Sequence, residues 1–189
     1  MNAIGFALFP TPIGTCGIAW NEHALAGVQL PEKDEPATRS RMQRRFPNTP
    51  EAPPPRPVQR AVDSITALLH GEQRDLTEIA LDTNGIAPFE QRVYEAARNI
   101  PPGTTITYGD LAKRIGEPHA SQAVGQALGR NPFAPVVPCH RIVAADGKMH
   151  GFSATGGTTT KLRLLTIEGW RSNEPTLFES PRPAEASTP

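Results

Sequence analysis

Residues 107–143, TYGDLAKRIGEPHASQAVGQALGRNPFAPVVPCHRIV, decide how the second half of the chain folds. Thr107 can cap a helix, Asp110 follows where the first-turn dipole favours a carboxylate, Leu111 and Ile115 share a helical face, and Gly116 ends the run. Pro118 can open a second helix with Ala120, Ala123, Val124, Ala127 and Leu128 on its apolar face, and Gly129 stops it. Two short helices joined by the turn Gly116-Glu117-Pro118 have helix-turn-helix spacing, a pattern an ordinary helical hairpin shares. Pro132, Pro135 and Pro138 then hold the chain extended, because each proline fixes its own backbone and disfavours helix in the residue before it. Cys139 is thus approached along a stiff path, and Ile142-Val143 continue as a strand.

Upstream, Phe89, Val93, Ala96, Ala97 and Ile100 mark a helix stopped by Pro101, Pro102 and Gly103. Residues 2–9, 15–20 and 24–30 read as strands of a small antiparallel sheet. Val58, Ala61, Val62, Ile65, Leu68 and Leu69 follow helical spacing with Gly71 as C-terminal stop, and Leu76 to Leu81 is a possible strand. From Pro31 to Pro57 the periodic signal vanishes and six prolines crowd into Pro47 to Pro57, which predicts a long loop without a fixed fold. Downstream, Asp146-Gly147 reads as a turn, Lys161 to Glu168 as a last helix with Leu162 and Leu165 inward, and the segment from Ser172 as a disordered tail. The expected fold is α/β of the α+β kind. An N-terminal sheet-plus-helix domain spans 1–82, with the Pro/Arg-rich loop at 31–57, and a mainly helical domain spans 83–171 before the tail at 172–189.

A chain of 189 residues with 38% apolar content can bury a proper core. The N-terminus lacks a basic start and a cleavage site, and no apolar run of ~18 residues follows, so a soluble cytoplasmic protein with no membrane contact is expected. Cys16 and Cys139 form no CxxC, and His23, His70, His119 and His150 share no ligand spacing, so neither a metal nor a cofactor is expected. Zero net charge excludes a strongly basic nucleic-acid binder and leaves only local patches. Arg39, Arg41, Arg44 and Arg45, with Arg56 and Arg60 beyond, are one such run, and a solvated linker is the blander reading.

The most informative stretch is Val136-Val137-Pro138-Cys139-His140-Arg141-Ile142-Val143. A lone cysteine is more often a small buried hydrophobe than a nucleophile. His140 and Arg141 raise the odds of reactivity, since positive charge or a base activates a thiol. On a regular strand neighbouring side chains point to opposite faces, so Cys139 and His140 could cooperate only through a turn or a bridging water.

The stretch Pro138-Cys139-His140-Arg141 with Ile142-Val143 resembles the active-site signature of the O6-alkylguanine-DNA alkyltransferases. The resemblance extends from about Ile86 to Trp170, through Phe89, Val93-Tyr94, Ile100-Pro101, Gly103, Thr107-Tyr108, Leu111-Ala112, Ala123-Val124-Gly125, Asn131-Pro132, Gly156-Gly157, Lys161, Leu164-Leu165 and Glu168-Gly169. In the first 80 residues it reduces to Thr11-Pro12-Ile13-Gly14. It implies a ribonuclease H-like N-terminal domain and a winged-helix-like C-terminal one. It also implies a monomer that flips O6-alkylguanine, and by extension O4-alkylthymine, out of double-stranded DNA and moves the alkyl group once, irreversibly, onto Cys139. The implied machinery is Cys139 relayed through a water to His140 and on to Glu168, with Asn131 bracing the backbone and Tyr108 donating to the base. The implied DNA contacts are Tyr108, Ala120, Gln122, Ala123, Arg130 and Arg141, with Ala127 a further small residue at the groove. Leu128, Val137, Phe152 and Ser153 would line the pocket.

Two departures stand out. Gln122 occupies the place where the family usually carries an arginine that fills the gap left by the flipped nucleotide, which predicts slower repair or weaker duplex binding. The stretch Ser153-Ala154-Thr155 before Gly156-Gly157 is longer than the commoner version. Among rival readings, a lesion sensor of this family would lack Cys139 and a methylation-switched activator would need a cysteine-rich zinc module. A cysteine hydrolase would turn over many times.

Overall fold

A computed structural model describes residues 2–145 and 152–171. The expected turn at Asp146-Gly147, His150 and the tail from Ser172 lie outside the described residues. The chain opens on an antiparallel meander of β1 (Gly5–Thr11), β2 (Gly14–Trp20) and β3 (Leu25–Gln29), in spatial order β1-β2-β3. Alternation along these strands sends Ala7, Phe9, Cys16, Ile18, Trp20, Leu25 and Val28 to one face and Phe6, Ala19 and Ala26 to the other. The first face is covered by α2 (Arg56–Leu69), through the six apolar residues whose helical spacing predicts it.

The second face corrects the reading of 31–57 as a loop. Within it lies α1 (Glu35–Arg45), capped by Asp34, whose carboxylate accepts from the Ala37 amide, with Pro36 in the first turn and Glu35 paired to Arg39 at 2.9 Å. Only Thr38 and Met42 of α1 are buried, with Phe46 just beyond, so a helix of arginines carries almost no apolar period. Those few side chains suffice to seat it, because burying Met42 and Phe46 contributes about 1.5–3 kcal/mol each. Gly17 permits the fit, since a β-carbon there would stand 2.6 Å from Met42 Cγ. The stretch Leu76–Leu81 likewise forms no strand and pairs with the sheet through one bridge, Leu25 to Leu81.

The second half begins with α3 (Pro88–Arg98), then β4 (Ile106–Thr107), α4 (Tyr108–Arg114) and α5 (Ser121–Gly129). Thr107 caps α4 as the sequence predicts, its hydroxyl accepting from the Asp110 amide at 3.0 Å. Helix α5 starts at Ser121 with Ala120 as its N-cap, three residues later than Pro118. A single 3-10 turn, Cys139–Arg141, leads into β5 (Ile142–Val143), which pairs in parallel with β4, and α6 (Thr158–Ile167) completes the described chain. Leu164 and Leu165 are the inward residues of α6, whereas Leu162 is 45% exposed, contrary to its expected place. Val136 and Leu164 sit in the core under the N-terminal sheet, so the two halves share packing on either side of Cys139. The mixed α/β class is as expected. Among the described residues, no helix is long and apolar enough to cross a membrane.

Candidate active site

The 3-10 turn resolves the geometric difficulty of adjacent Cys139 and His140. With the backbone coiled rather than pleated, Cys139 faces a cavity while His140 is fully buried behind it. Nε2 of His140 lies 2.8 Å from Oε1 of Glu168. Burial pushes the Glu168 carboxyl up, but hydrogen bonds and charge from His140 and Arg141 outweigh it and hold the group at about 2, below the usual 4.5. An ionised carboxylate can only accept, so Nε2 carries the proton and Nδ1 keeps its lone pair. Nδ1 is buried and has no hydrogen-bond partner among the described residues. Burial also drives the His140 pKa below 6.5 against the opposing pull of Glu168, leaving a neutral imidazole at pH 7. The Cys139 thiol is raised by its own burial, which outweighs hydrogen bonding from Asn131, the charge of Lys161 and the backbone amides of Cys139 and His140. At rest the pair is therefore a protonated thiol in front of a neutral base.

Arg141 occupies a different place from the one expected of it. Its side chain is 1% exposed and makes a fork on Glu168, Nε donating to Oε2 at 3.0 Å and Nη2 to Oε1 at 2.7 Å, with Nη1 on the carbonyl of Ile100. No donor of Arg141 reaches the surface to meet a phosphate, and the arginine serves instead as the counter-ion of the buried carboxylate. Gly103 completes the enclosure: its φ is +74°, its amide donates to Glu168 Oε2 at 3.3 Å, and a β-carbon there would stand 2.7 Å from the Glu168 carbonyl oxygen.

Asn131 braces the approach to the thiol. Its amide donates to the carbonyl of Val137 at 2.8 Å and its Oδ1 accepts from the Phe133 amide at 2.9 Å, so it closes the three-proline segment on itself. A cavity of about 440 Å³ opens in front of Cys139, walled by Tyr108, Gly125, Leu128, Gly129, Phe152 and Ser153. Leu128, Phe152, Ser153 and Tyr108 are brought together as expected, but Val137 is not in this wall. It is wholly buried in the helical core and contributes only its carbonyl, which also accepts from the Cys139 amide. The Tyr108 hydroxyl is raised above 10, by burial and then by Cys139, and so is a donor at neutral pH.

On the outer face Gln122, Ala123, Gly129 and Arg130 are exposed and Ala120 is half-buried at the start of α5. Arg130 is paired with Glu90 at 2.6 Å on a largely exposed side chain. Ala127 is fully buried against α3, its carbonyl accepting from the Tyr94 hydroxyl, so its small size serves packing rather than an outer contact. Lys161 escaped notice as a site residue because nothing in its spacing marks it. It is buried, its ammonium lies 5.9 Å from the Tyr108 ring centre and donates to the Ile142 carbonyl, and its charge favours the Cys139 thiolate. A larger cavity of about 580 Å³ lies between α2 and the β2–β3 turn, remote from Cys139 and without a cysteine in its wall. Among the described residues, no cluster of three or more His, Cys, Asp or Glu side chains could hold a metal ion.

The family model of the 6-O-methylguanine DNA methyltransferase, DNA binding domain, matches residues 88–170, the part that holds every residue of this site. The chain is 35% identical over 177 residues to a methylated-DNA–protein-cysteine methyltransferase of Mycobacterium tuberculosis, covering 93% of this chain and 99% of that protein. It belongs to the 6-O-methylguanine DNA methyltransferase family. A DNA base-flipping protein of Thermus thermophilus is 36% identical over 160 residues, 85% of this chain and 97% of that one. The crystal structure of Mycobacterium tuberculosis OGT in complex with DNA superposes with a TM-score of 0.71 at 33% identity, over 87% of this chain and 92% of the other. Within this family the turn, the buried imidazole and the cavity fall on the matched segment, while the N-terminal half is joined to it through the longer relatives.

Proposed function

We propose that this protein repairs alkylated DNA by moving the alkyl group of O6-alkylguanine, and of O4-alkylthymine, from the base to Cys139, once per molecule. The observation that carries the reading is a buried thiol at a cavity of about 440 Å³, next in the chain to a neutral imidazole that a carboxylate anchors through Nε2 and whose Nδ1 has no hydrogen-bond partner among the described residues.

The proton of the Cys139 thiol passes by way of a water to Nδ1 of His140, and Glu168 stabilises the imidazolium that forms. The thiolate attacks the alkyl carbon in line, the carbon–sulfur bond forms as the carbon–O6 bond breaks, and the electron pair leaves on O6 of guanine. Tyr108, which keeps its proton at pH 7, donates to the departing base. The product thioether has no acidic proton and is a poor leaving group, so the reaction ends there. Because the O6 atom is stacked in duplex DNA, the base must rotate into the cavity at a cost of a few kcal/mol. The exposed face of α5, from Gln122 to Arg130, lies beside that cavity and is the surface we assign to the duplex. Cys139 favours transfer over lesion sensing alone, since it supplies the acceptor a sensor would not need.

Titration of the protein against a duplex carrying O6-methylguanine tests this directly: one lesion removed per protein molecule is expected, and continued turnover would refute it. At the duplex surface, Gln122→Arg should raise the repair rate on the same duplex by roughly 10-fold, through added charge and a planar cation able to stack between bases. No gain in the arginine variant would show that Gln122 fills the role unaided.

A further inference from the structure

Arg45 is one of several contacts by which the N-terminal half reaches the site, beside the Gln73 side-chain amide, which donates to the Glu168 carbonyl at 3.1 Å. Arg45, the last residue of α1, donates from Nη2 to the carbonyl of Pro132 at 3.0 Å and from Nη1 to the carbonyl of Val28 and to Gln29 Oε1, each at 3.0 Å. The Val28 amide donates to the same Pro132 carbonyl at 2.9 Å, so the residue after Asn131 is held twice from the N-terminal sheet. Half-buried, Arg45 lies over the ring of Phe46 at 5.2 Å, and Gly27 leaves room for it, since a β-carbon there would meet Nη2 at 2.7 Å. A cavity of about 300 Å³ has Arg45, Asn131 and Cys139 in one wall system. On its other side Glu32 accepts from Thr155 of the long loop. Three bonds from a rigid fork are a more directional tether than a lysine could make.

We infer that Arg45 is a positioning residue for alkyl transfer: through Pro132 it fixes Asn131, and through Asn131 the three-proline segment that presents Cys139. The inference rests on the proposed role of Cys139 as acceptor. Burial gives the guanidinium good reason to be fully bonded, and it is lowered to about 10 by that burial and then by Arg41, yet stays charged at neutral pH. Its work is geometric, because Pro132 presents a carbonyl, not a charge.

The test uses the full chain as Arg45→Met and Arg45→Lys. Two probes are needed, methyl transfer from free O6-methylguanine base, which bypasses duplex binding, and the pH profile of Cys139 alkylation by iodoacetamide, located by peptide mapping. Arg45→Met should slow transfer from the free base by roughly 10- to 100-fold, the range expected when a reacting group loses its alignment. It should also move the iodoacetamide profile to higher pH as the Asn131 hydrogen bond to the thiol loosens. Arg45→Lys, which retains one donor to Pro132, should fall between. Unchanged free-base transfer and an unchanged profile in Arg45→Met would overturn the inference, as would a loss seen only on duplex DNA. If Arg45→Met does not fold, wild-type behaviour of Arg45→Lys in both probes overturns it equally. Failure of the wild-type protein to take up methyl groups would instead strike the transfer reading, while the iodoacetamide profile would still report on Arg45.

Discussion

Cys139→Ser should abolish lesion removal, lowering the transfer rate by roughly 10⁴-fold or more, while the protein still folds. The substitution exchanges sulfur for oxygen in nearly the same volume, at a site where Asn131 already offers a hydrogen bond to the side chain. A stability loss of about 1 kcal/mol covers burial of the hydroxyl. The rate loss is far larger because the thiolate is both accessible near neutral pH and strongly nucleophilic toward a saturated alkyl carbon, whereas a hydroxyl is far less acidic and its oxygen a much poorer nucleophile at such a carbon. Binding to the lesion-bearing duplex should persist in the variant, which would then flip and hold the base without repairing it. Single-turnover kinetics and a binding isotherm on the same oligonucleotide separate the two effects, and a serine variant that repairs at the wild-type rate would rule out sulfur as acceptor.

The second large effect is expected from Glu168→Gln. The carboxylate sits 4% exposed between His140 and the fork of Arg141, so its neutral amide strands a buried guanidinium. Breaking one side of a buried pair typically costs about 3–5 kcal/mol, and loss of the anchored base should cost roughly 10²- to 10⁴-fold in rate. Glu168→Gln combined with Arg141→Met should recover much of the stability, since no charge is then left unpaired, but none of the rate. If the double variant recovers both, Glu168 holds the fold and has no part in the relay. Acid should act through the same cluster. His140 is held below 6.5 in the fold, so the unfolded chain binds more protons as pH falls through that value, and stability drops. Glu168 contributes stability fully present above 4.5 and lost as pH falls toward about 2. Urea midpoints at pH 7, 4.5 and 3 should therefore fall in that order for the wild type, with a shallower fall from 4.5 to 3 in the double variant.

Which parts of this architecture the sequence discloses follows from how each residue earns its place. Helix α2 has six buried residues on one face, and Thr107 and Asp110 cap α4 by purely local contacts, so period and capping chemistry reveal both. Helix α1 is hidden because its seat depends on Met42 and Phe46 reaching a sheet face formed far away in sequence. Leu162 misleads for the opposite reason: it fits a helical stripe, but the core meets α6 at Leu164 and Leu165. At the site, Cys139 and His140 stand out as adjacent reactive types, and their family resemblance supplies Glu168 as a partner. Arg141 beside them reads as a surface cation, since only the folded chain shows that its charge is consumed by Glu168. Arg45 is concealed among five other arginines of similar setting, and its contact with Pro132 spans 87 residues.

The claim on which the rest depends is that the alkyl group ends on one sulfur. Intact-mass spectrometry of the protein after incubation with a duplex containing O6-methylguanine, followed by peptide mapping, measures this most directly. The account predicts a gain of a single methyl group, complete at one equivalent of lesion and located on Cys139. Repaired DNA beside protein of unchanged mass, or a methyl group found on Cys16, would contradict it.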